Sequence, residues 1–288
     1  MDKTDNPLLG ITYITISVFF ITAAAAFAKW LYDYHAIELV FYRCVFVLLA
    51  VCLFITHQKK WELIKTTRMR SHIGRATVGT IGIILGLAAV QILPLADATT
   101  LSFTGPLFVV LLSYPLLKEK VGIYKLSAVV IGFLGVLLVA KPSGEVALIG
   151  ISLALGAAFF NALVQIYLRD LGKTENPITT VFYFMLYGAI ITGVMLPFVW
   201  TGPSWESIAF ILAMAVCSGT QQIIKTKGHQ IAPVAVTAPF DYTALIWATL
   251  FGFIFWDTLP TWSVIWGAII IVFSNIIILW REQRRKQS

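Results

Sequence analysis

Apolar positions along the chain gather into ten stretches, separated by short polar connectors. A helix needs about 20 apolar residues to cross a hydrocarbon core. The pattern therefore predicts ten membrane-crossing helices, over residues 8–31, 36–56, 72–92, 95–117, 121–140, 147–168, 178–200, 205–226, 232–256 and 262–281. These spans use nearly the whole chain, and the connectors are too short to hold a soluble domain. Between the third and fourth spans, only Pro94 and Asp97 interrupt what otherwise reads as one long run.

The last five stretches repeat the first five. A displacement of 139 residues sets Pro94 on Pro233, Thr104 on Thr243, Ala128 on Gly267 and Gly135 on Ser274. The carboxylate after the fourth stretch, Glu119, recurs as Asp257 one residue out of step. Lys29 meets Arg169 at a displacement of 140, and Phe41-Tyr42 meets Phe182-Tyr183 at 141. Any two apolar sequences align somewhat, but several anchors within two residues of one displacement point to duplication. The halves are residues 1–143 and 144–288. A five-helix unit crosses an odd number of times, so its copy must enter with the opposite orientation. Two inverted halves are a signature of alternating-access transporters.

Composition agrees with that class. Hydrophobic residues make up 59% of the chain and charged residues 12%, against about 25% charged in soluble domains. The net charge of +7 belongs to topology and lipid headgroups rather than to nucleic acid. With the amino terminus inside, 18 of the 21 basic residues fall in cytoplasmic segments. Lys29 and Lys141 lie opposite, and Arg43 lies within a span. This is a strong positive-inside bias and places both termini in the cytoplasm. Seven of the nine tryptophans sit near span ends, as in an interfacial aromatic belt, whereas Trp247 and Trp266 lie deeper. Cys44, Cys52 and Cys217 show no metal-binding spacing and read as small buried hydrophobes. The run Thr22 to Ala28 resembles a signal-peptidase site, but the apolar run before it is long, and retention as a membrane helix is expected.

Several segments resemble the drug/metabolite transporter superfamily, specifically its EamA-type ten-helix members. They are Leu93-Pro94-Leu95-Ala96-Asp97-Ala98-Thr99 running into Phe103-Thr104-Gly105-Pro106-Leu107, the turn Leu117-Lys118-Glu119-Lys120, Ile131-Gly132-Phe133-Leu134-Gly135-Val136, and Ala238-Pro239-Phe240-Asp241-Tyr242. Within the superfamily the chain looks most like the branch containing bacterial S-adenosylmethionine uptake carriers. The resemblance implies an all-α integral membrane protein with two inverted five-helix repeats. It also implies a central cavity lined mainly by helices 3, 4, 8 and 9, with helices 5 and 10 as supports often involved in dimerisation. One departure is Arg43 on the second helix, which has no basic counterpart near Phe184 on the seventh.

The residues themselves point to similar places. Asp241 lies about ten residues into its span, where a carboxylate is costly and normally faces a cavity or a partner. It could recognise a substrate cation, carry a coupling proton, or pair with a buried base, with Arg43, Arg75 and Lys225 as candidate partners. Pro106 and Pro239 each remove a backbone donor within a span, which either lines a cavity or bends a helix. Gly82 and Gly86 form a GxxxG pair suited to close helix packing, with sliding during transport as a second role. Asn161 and Gln165 share a helical face, as do Gln221 and Lys225. These side chains either line a site or bond helices together, as do Gln91, Gln222 and Asn275. Thr104 stands in the fourth-span motif, and Phe103, Tyr242 and Trp247 offer aromatic walls for a cation or simply pack.

Catalytic motifs and a phosphate-cradling P-loop are absent, so neither an enzyme nor a direct ATP-driven pump is indicated. An intramembrane enzyme would cluster titratable groups deep in the spans, where only Asp241 and Arg43 qualify. A receptor or scaffold would need no inverted repeat. The expectation is a secondary carrier of the cell inner membrane that requires no cofactor or metal. It would move a small organic metabolite such as an amino-acid derivative, with S-adenosylmethionine the sharpest candidate. Proton-coupled efflux of amino acids or drugs is the alternative. Membrane lipids are its surroundings, and a homodimer is one possible assembly.

Overall fold

In hydrocarbon, a backbone N–H or C=O finds no water to bond, so the chain must satisfy these groups within itself, and a helix does so locally. The computed structural model describes residues 7–117, 123–140, 145–231 and 238–287, and these are all-α. The helices are α1 (Pro7–Trp30), α2 (Ala36–His57), α3 (Met69–Ile92), α4 (Leu95–Ser102), α5 (Gly105–Leu117) and α6 (Ile123–Val139), followed by α7 (Glu145–Leu171), α8 (Pro177–Met195), α9 (Trp205–Ile231), α10 (Ala244–Trp256) and α11 (Trp262–Gln287). Short 3-10 helices cover Trp61–Ile64, Leu196–Phe198 and Ala238–Thr243. Among the described residues, seven segments are long and apolar enough to cross a membrane, and three shorter apolar helices accompany them.

Local chemistry sets the ends. The His35 ring accepts a hydrogen bond from the Ile37 N–H at the start of α2. Asn176 caps α8 in the same way, with Pro177 in the first turn, where its missing N–H costs nothing. Asp257 adopts the left-handed conformation (φ 51°) and closes α10.

Two expected spans prove to be interrupted. Residues 95–117 are continuous in hydropathy, yet the helix breaks at Phe103–Thr104, leaving α4 and α5. Pro106 therefore stands in the first turn of α5 rather than inside a helix. The described part of the ninth span opens as the 3-10 turn Ala238–Thr243, which includes Pro239, before α10 begins. Residues 232–237, with Pro233, lie outside the described residues. The two residues that the repeat superposes, Thr104 and Thr243, each stand immediately before the second section of their span.

Packing follows the repeat. α1 packs on α9 and, correspondingly, α7 on α3. α2 meets α9 as α8 meets α3, and α5 meets α7 as α10 meets α1. The pairs α2–α8 and α6–α11 are each their own counterpart, whereas α4 also meets α10. Exchanging the halves therefore leaves all of these pairings but α4–α10 unchanged.

Small residues allow the close crossings. A Cβ added at Gly135 would lie 2.9 Å from the Gly267 carbonyl, and one at Gly267 would lie 2.7 Å from the Gly135 carbonyl, so α6 and α11 touch backbone to backbone. On α3, a Cβ at Gly82 would lie 3.1 Å from the Phe160 Cβ, and one at Gly86 would lie 3.6 Å from the Ala157 Cβ. The glycine pair thus packs against α7.

The outward faces carry large apolar side chains such as Leu53, Leu137, Val194 and Ile254. Hydroxyls turned inward bond the preceding helical turn, as Thr22 does to Val18, Thr100 to Ala96 and Thr192 to Gly188.

Candidate functional site

Among the described residues, three groups of charged side chains in the spans hold the basic residues that bear on a site. In the first, Lys225 of α9 places its ammonium 3.1 Å from Asp241 Oδ1, in the 3-10 turn before α10. Of the three bases open to Asp241 from sequence, Lys225 is the one it bonds. The two side chains are 38% and 36% exposed, so the pair is held between elements yet remains reachable. Gln221 lies one turn before Lys225 and is buried. Tyr242 follows Asp241 and meets the ring of Phe103 edge-on at 5.0 Å, which joins the break in α4–α5 to the turn before α10. The carbonyl of Phe103 is one of those freed by the break, and Asn275 of α11 donates to it at 2.8 Å. The break that Thr104 marks is thus tied to the opposite half. Thr104 is itself fully buried, with its hydroxyl donating back to the Leu101 carbonyl.

The expected aromatic wall is divided. Phe103 and Tyr242 stand together, while Trp247 packs edge-on against Phe19 of α1 at 5.1 Å. A cavity of 310 Å³ lies between α1, α9 and α10, lined by apolar side chains including Phe19, Phe27, Trp30, Cys217 and Phe251. None of its lining residues is charged. Asn161 and Gln165 both project from α7 with exposed side chains, within a span whose other exposed residues are mainly apolar.

The second group joins α1 to the α3–α4 junction and was not legible in the sequence. Lys29 donates to the carbonyls of Val90 and Leu93 at 3.1 and 2.6 Å and lies 5.7 Å from the Trp256 ring centroid. Asp97, in the first turn of α4, lies within its electrostatic reach. The repeat alignment offered one hint, since Lys29 coincides with another cation, Arg169. Beside this group, Gln91 donates to the carbonyls of Leu31 and Tyr34, which makes it a tie between helices.

The third group is Arg43 and Arg75. Arg75, a candidate partner of Asp241 from sequence, is instead buried where α3 packs against α8. It is 4% exposed, and its guanidinium lies over the Phe184 ring, 3.6 Å from the centroid. Arg43 is 6% exposed. Among the described residues, neither is in a salt bridge.

Acidic residues near the connectors are committed elsewhere. Asp170 pairs with Arg68 across the halves. Glu175 bonds Thr66 and the buried His72 ring at 3.0 and 3.3 Å. Glu38, fully buried, accepts from Thr201 and from the Tyr42 hydroxyl. Among the described residues, no cluster of His, Cys, Asp and Glu could hold a metal ion.

One solved crystal structure superposes on 94% of this chain and 96% of its own with a TM-score of 0.64, at 15% identity, and so shares the fold. Solute carrier family 35 member G1 of Homo sapiens is 28% identical over 95% of this chain and 80% of its own length. An uncharacterized transporter of Helicobacter pylori is 29% identical over 94% of both chains. The S-adenosylmethionine uptake transporter of Rickettsia conorii is 25% identical over 98% of this chain and 96% of its own. The EamA-like transporter family matches residues 8–141 and again 148–280, once in each half. The chain is a multi-pass membrane protein that belongs to the EamA-like transporter family, a family of carriers rather than of enzymes.

Proposed function

We propose that the protein is a secondary carrier for a small organic solute, taking the solute up between its two halves by alternating access. The observation that carries this reading is the Lys225–Asp241 pair. A partly exposed ion pair held between α9 and an interrupted span is costly in a bilayer unless it faces a polar passage. The interruptions at Phe103–Thr104 and Ala238–Thr243 support it, because transporter sites are commonly built at broken helices at the interface of repeats. So do Asn161 and Gln165, amides exposed in mid-span.

In this reading Asp241 receives the cationic part of the solute, or the coupling proton, in exchange for Lys225. Tyr242 and Phe103 form the adjoining wall, with Gln221 and Thr104 near them. The two halves are inverted with both termini cytoplasmic, and the basic connectors set that topology in a cell inner membrane. S-adenosylmethionine is the first solute to test, since its sulfonium suits an acid beside aromatic rings. A relative that covers nearly the whole chain bears that substrate in its name. Efflux of amino acids or drugs is the second reading, and the close α6–α11 pair is the face on which a homodimer would form.

The test is counterflow of labelled S-adenosylmethionine in proteoliposomes. Saturable exchange that disappears in Asp241→Asn is the expected result. No exchange from folded, reconstituted protein would reject this substrate, and a screen of amino acids would follow.

A further inference from the structure

Arginine cannot shed its charge in a protein, so each buried guanidinium needs compensation. Arg43 of α2 and Arg75 of α3 are both buried; Arg43 adjoins Cys44 in the chain and Arg75 lies over the Phe184 ring, and Cys44 and Phe184 belong to one apolar cluster with Val40, Ala76 and Met185. Each lies within electrostatic reach of the other and of the Cys44 thiol. Arg43 Nη1 and Arg75 Nε and Nη1 are buried without a hydrogen-bond acceptor. The hydroxyl of Thr80, on α3, is buried and unpartnered as well. The Phe184 face offsets part of the Arg75 charge, but it cannot take up in-plane N–H donors.

Among the described residues, the carboxylates deep in the spans are engaged elsewhere. Glu38 holds Thr201 and Tyr42, Asp97 faces Lys29, and Asp241 holds Lys225. Two permanent positive charges thus share a buried site with three unpartnered donor nitrogens and a free hydroxyl, and among the described residues no acid pairs with them. A buried charge without a partner is strongly unfavourable, so the arrangement calls for an acceptor from outside the described residues. The site is closed by the contact of α8, in the second half, on α2 and α3, in the first. At that contact the backbone is close: a Cβ added at Gly188 would lie 2.8 Å from the Cys44 sulfur and 3.2 Å from the Thr80 hydroxyl.

We infer that Arg43 and Arg75 form a binding site for a carboxylate group carried by the transported solute, with Thr80 as an additional donor. The planar guanidinium fork matches a carboxylate in bidentate geometry, which a spherical halide cannot use in full. The inference rests on the carrier reading above and extends it. The solute then has an acidic group at the α2–α3–α8 site, separate from whatever Lys225 and Asp241 hold. Because the site is occluded, binding and release require α8 to part from α2 and α3, which couples the anion to movement of the halves.

The experiment is thermal unfolding of the purified full-length protein in detergent, in chloride-free buffer. The probes are sodium acetate, sodium succinate and sodium chloride at equal ionic strength. The expected result is that acetate and succinate raise Tm and chloride does not. Arg75→Gln and Arg43→Gln should each weaken the carboxylate effect about tenfold or more, and Arg75→Lys should weaken it less. Asp241→Asn, at the other charge group, should keep it. A wild-type protein whose Tm does not respond to carboxylate overturns the inference, even if an arginine variant fails to fold. A response kept in full by both glutamine variants also overturns it. An equal response to chloride overturns it by showing a resident counter-ion. A carboxylate response in a protein that does not exchange S-adenosylmethionine would reject that substrate and leave this site standing.

Discussion

Lys225 Nζ stands 3.1 Å from Asp241 Oδ1, joining the end of α9 to the turn that opens the last section of the ninth span. The pair can serve as a structural clasp or as the place where solute and cation compete, and charge reversal separates the two. In Lys225→Asp combined with Asp241→Lys, the attraction is restored but the acid is moved. A clasp would recover proteoliposome flux; a binding acid would leave flux absent in folded protein, and that is the outcome we expect. Asp241→Asn should also abolish flux driven by a pH gradient while leaving exchange. Unchanged gradient dependence in that variant would exclude Asp241 as the proton carrier.

Lys29 holds two carbonyls at the carboxy end of α3, where Leu93 and Pro94 turn the chain into α4. Methionine keeps the apolar stem but leaves both carbonyls without the donor. Lys29→Met should lower stability by about 1–3 kcal/mol, the cost of an unsatisfied buried group. Thermal unfolding in detergent measures this, and a Tm equal to wild type would show the contacts to be dispensable.

The α6–α11 crossing has no room for side chains at its centre. Gly267→Val should cost at least the roughly 1–3 kcal/mol typical of an overpacked core, because the added atoms meet the Gly135 carbonyl and Val139. The expected result is a lower yield of monodisperse protein and a lower Tm. Substitution of the exposed Ile269 on the same helix should be tolerated.

Arg68 and Asp170 tie the connector before α3 to the end of α7. The hydrogen bond from Arg68 is the largest influence holding the Asp170 carboxyl below its ordinary range, aided by the charges of Arg68 and Lys173. A carboxylate depressed in the folded state adds stability above its unfolded pKa, near 3.9, and loses it as the pH falls through the folded value. The Tm difference between wild type and Asp170→Asn should therefore be constant from neutral pH down to about 5 and shrink below about 4. A difference that instead grows on acidification would contradict the assigned direction.

The apolar segments were legible because hydropathy is a property of consecutive residues, and the lipid sets the length a crossing needs; seven of the described segments reach it and three are shorter. The repeat was legible because Pro94, Thr104 and Gly135 keep their spacing to Pro233, Thr243 and Ser274. Residue type alone marked Arg43, Arg75, Lys225 and Asp241, since any charge in a span is unusual. Tertiary structure decided which of these meet. A charge finds its partner according to how each helix is rotated and how closely small residues such as Gly82, Gly135 and Gly188 let neighbours approach. None of that is a property of a single segment. For the same reason the sequence pattern ran unbroken through Phe103 and Thr104, where the helix breaks. The freed carbonyl of Phe103 is tolerated because Asn275, 172 residues further along the chain, donates to it.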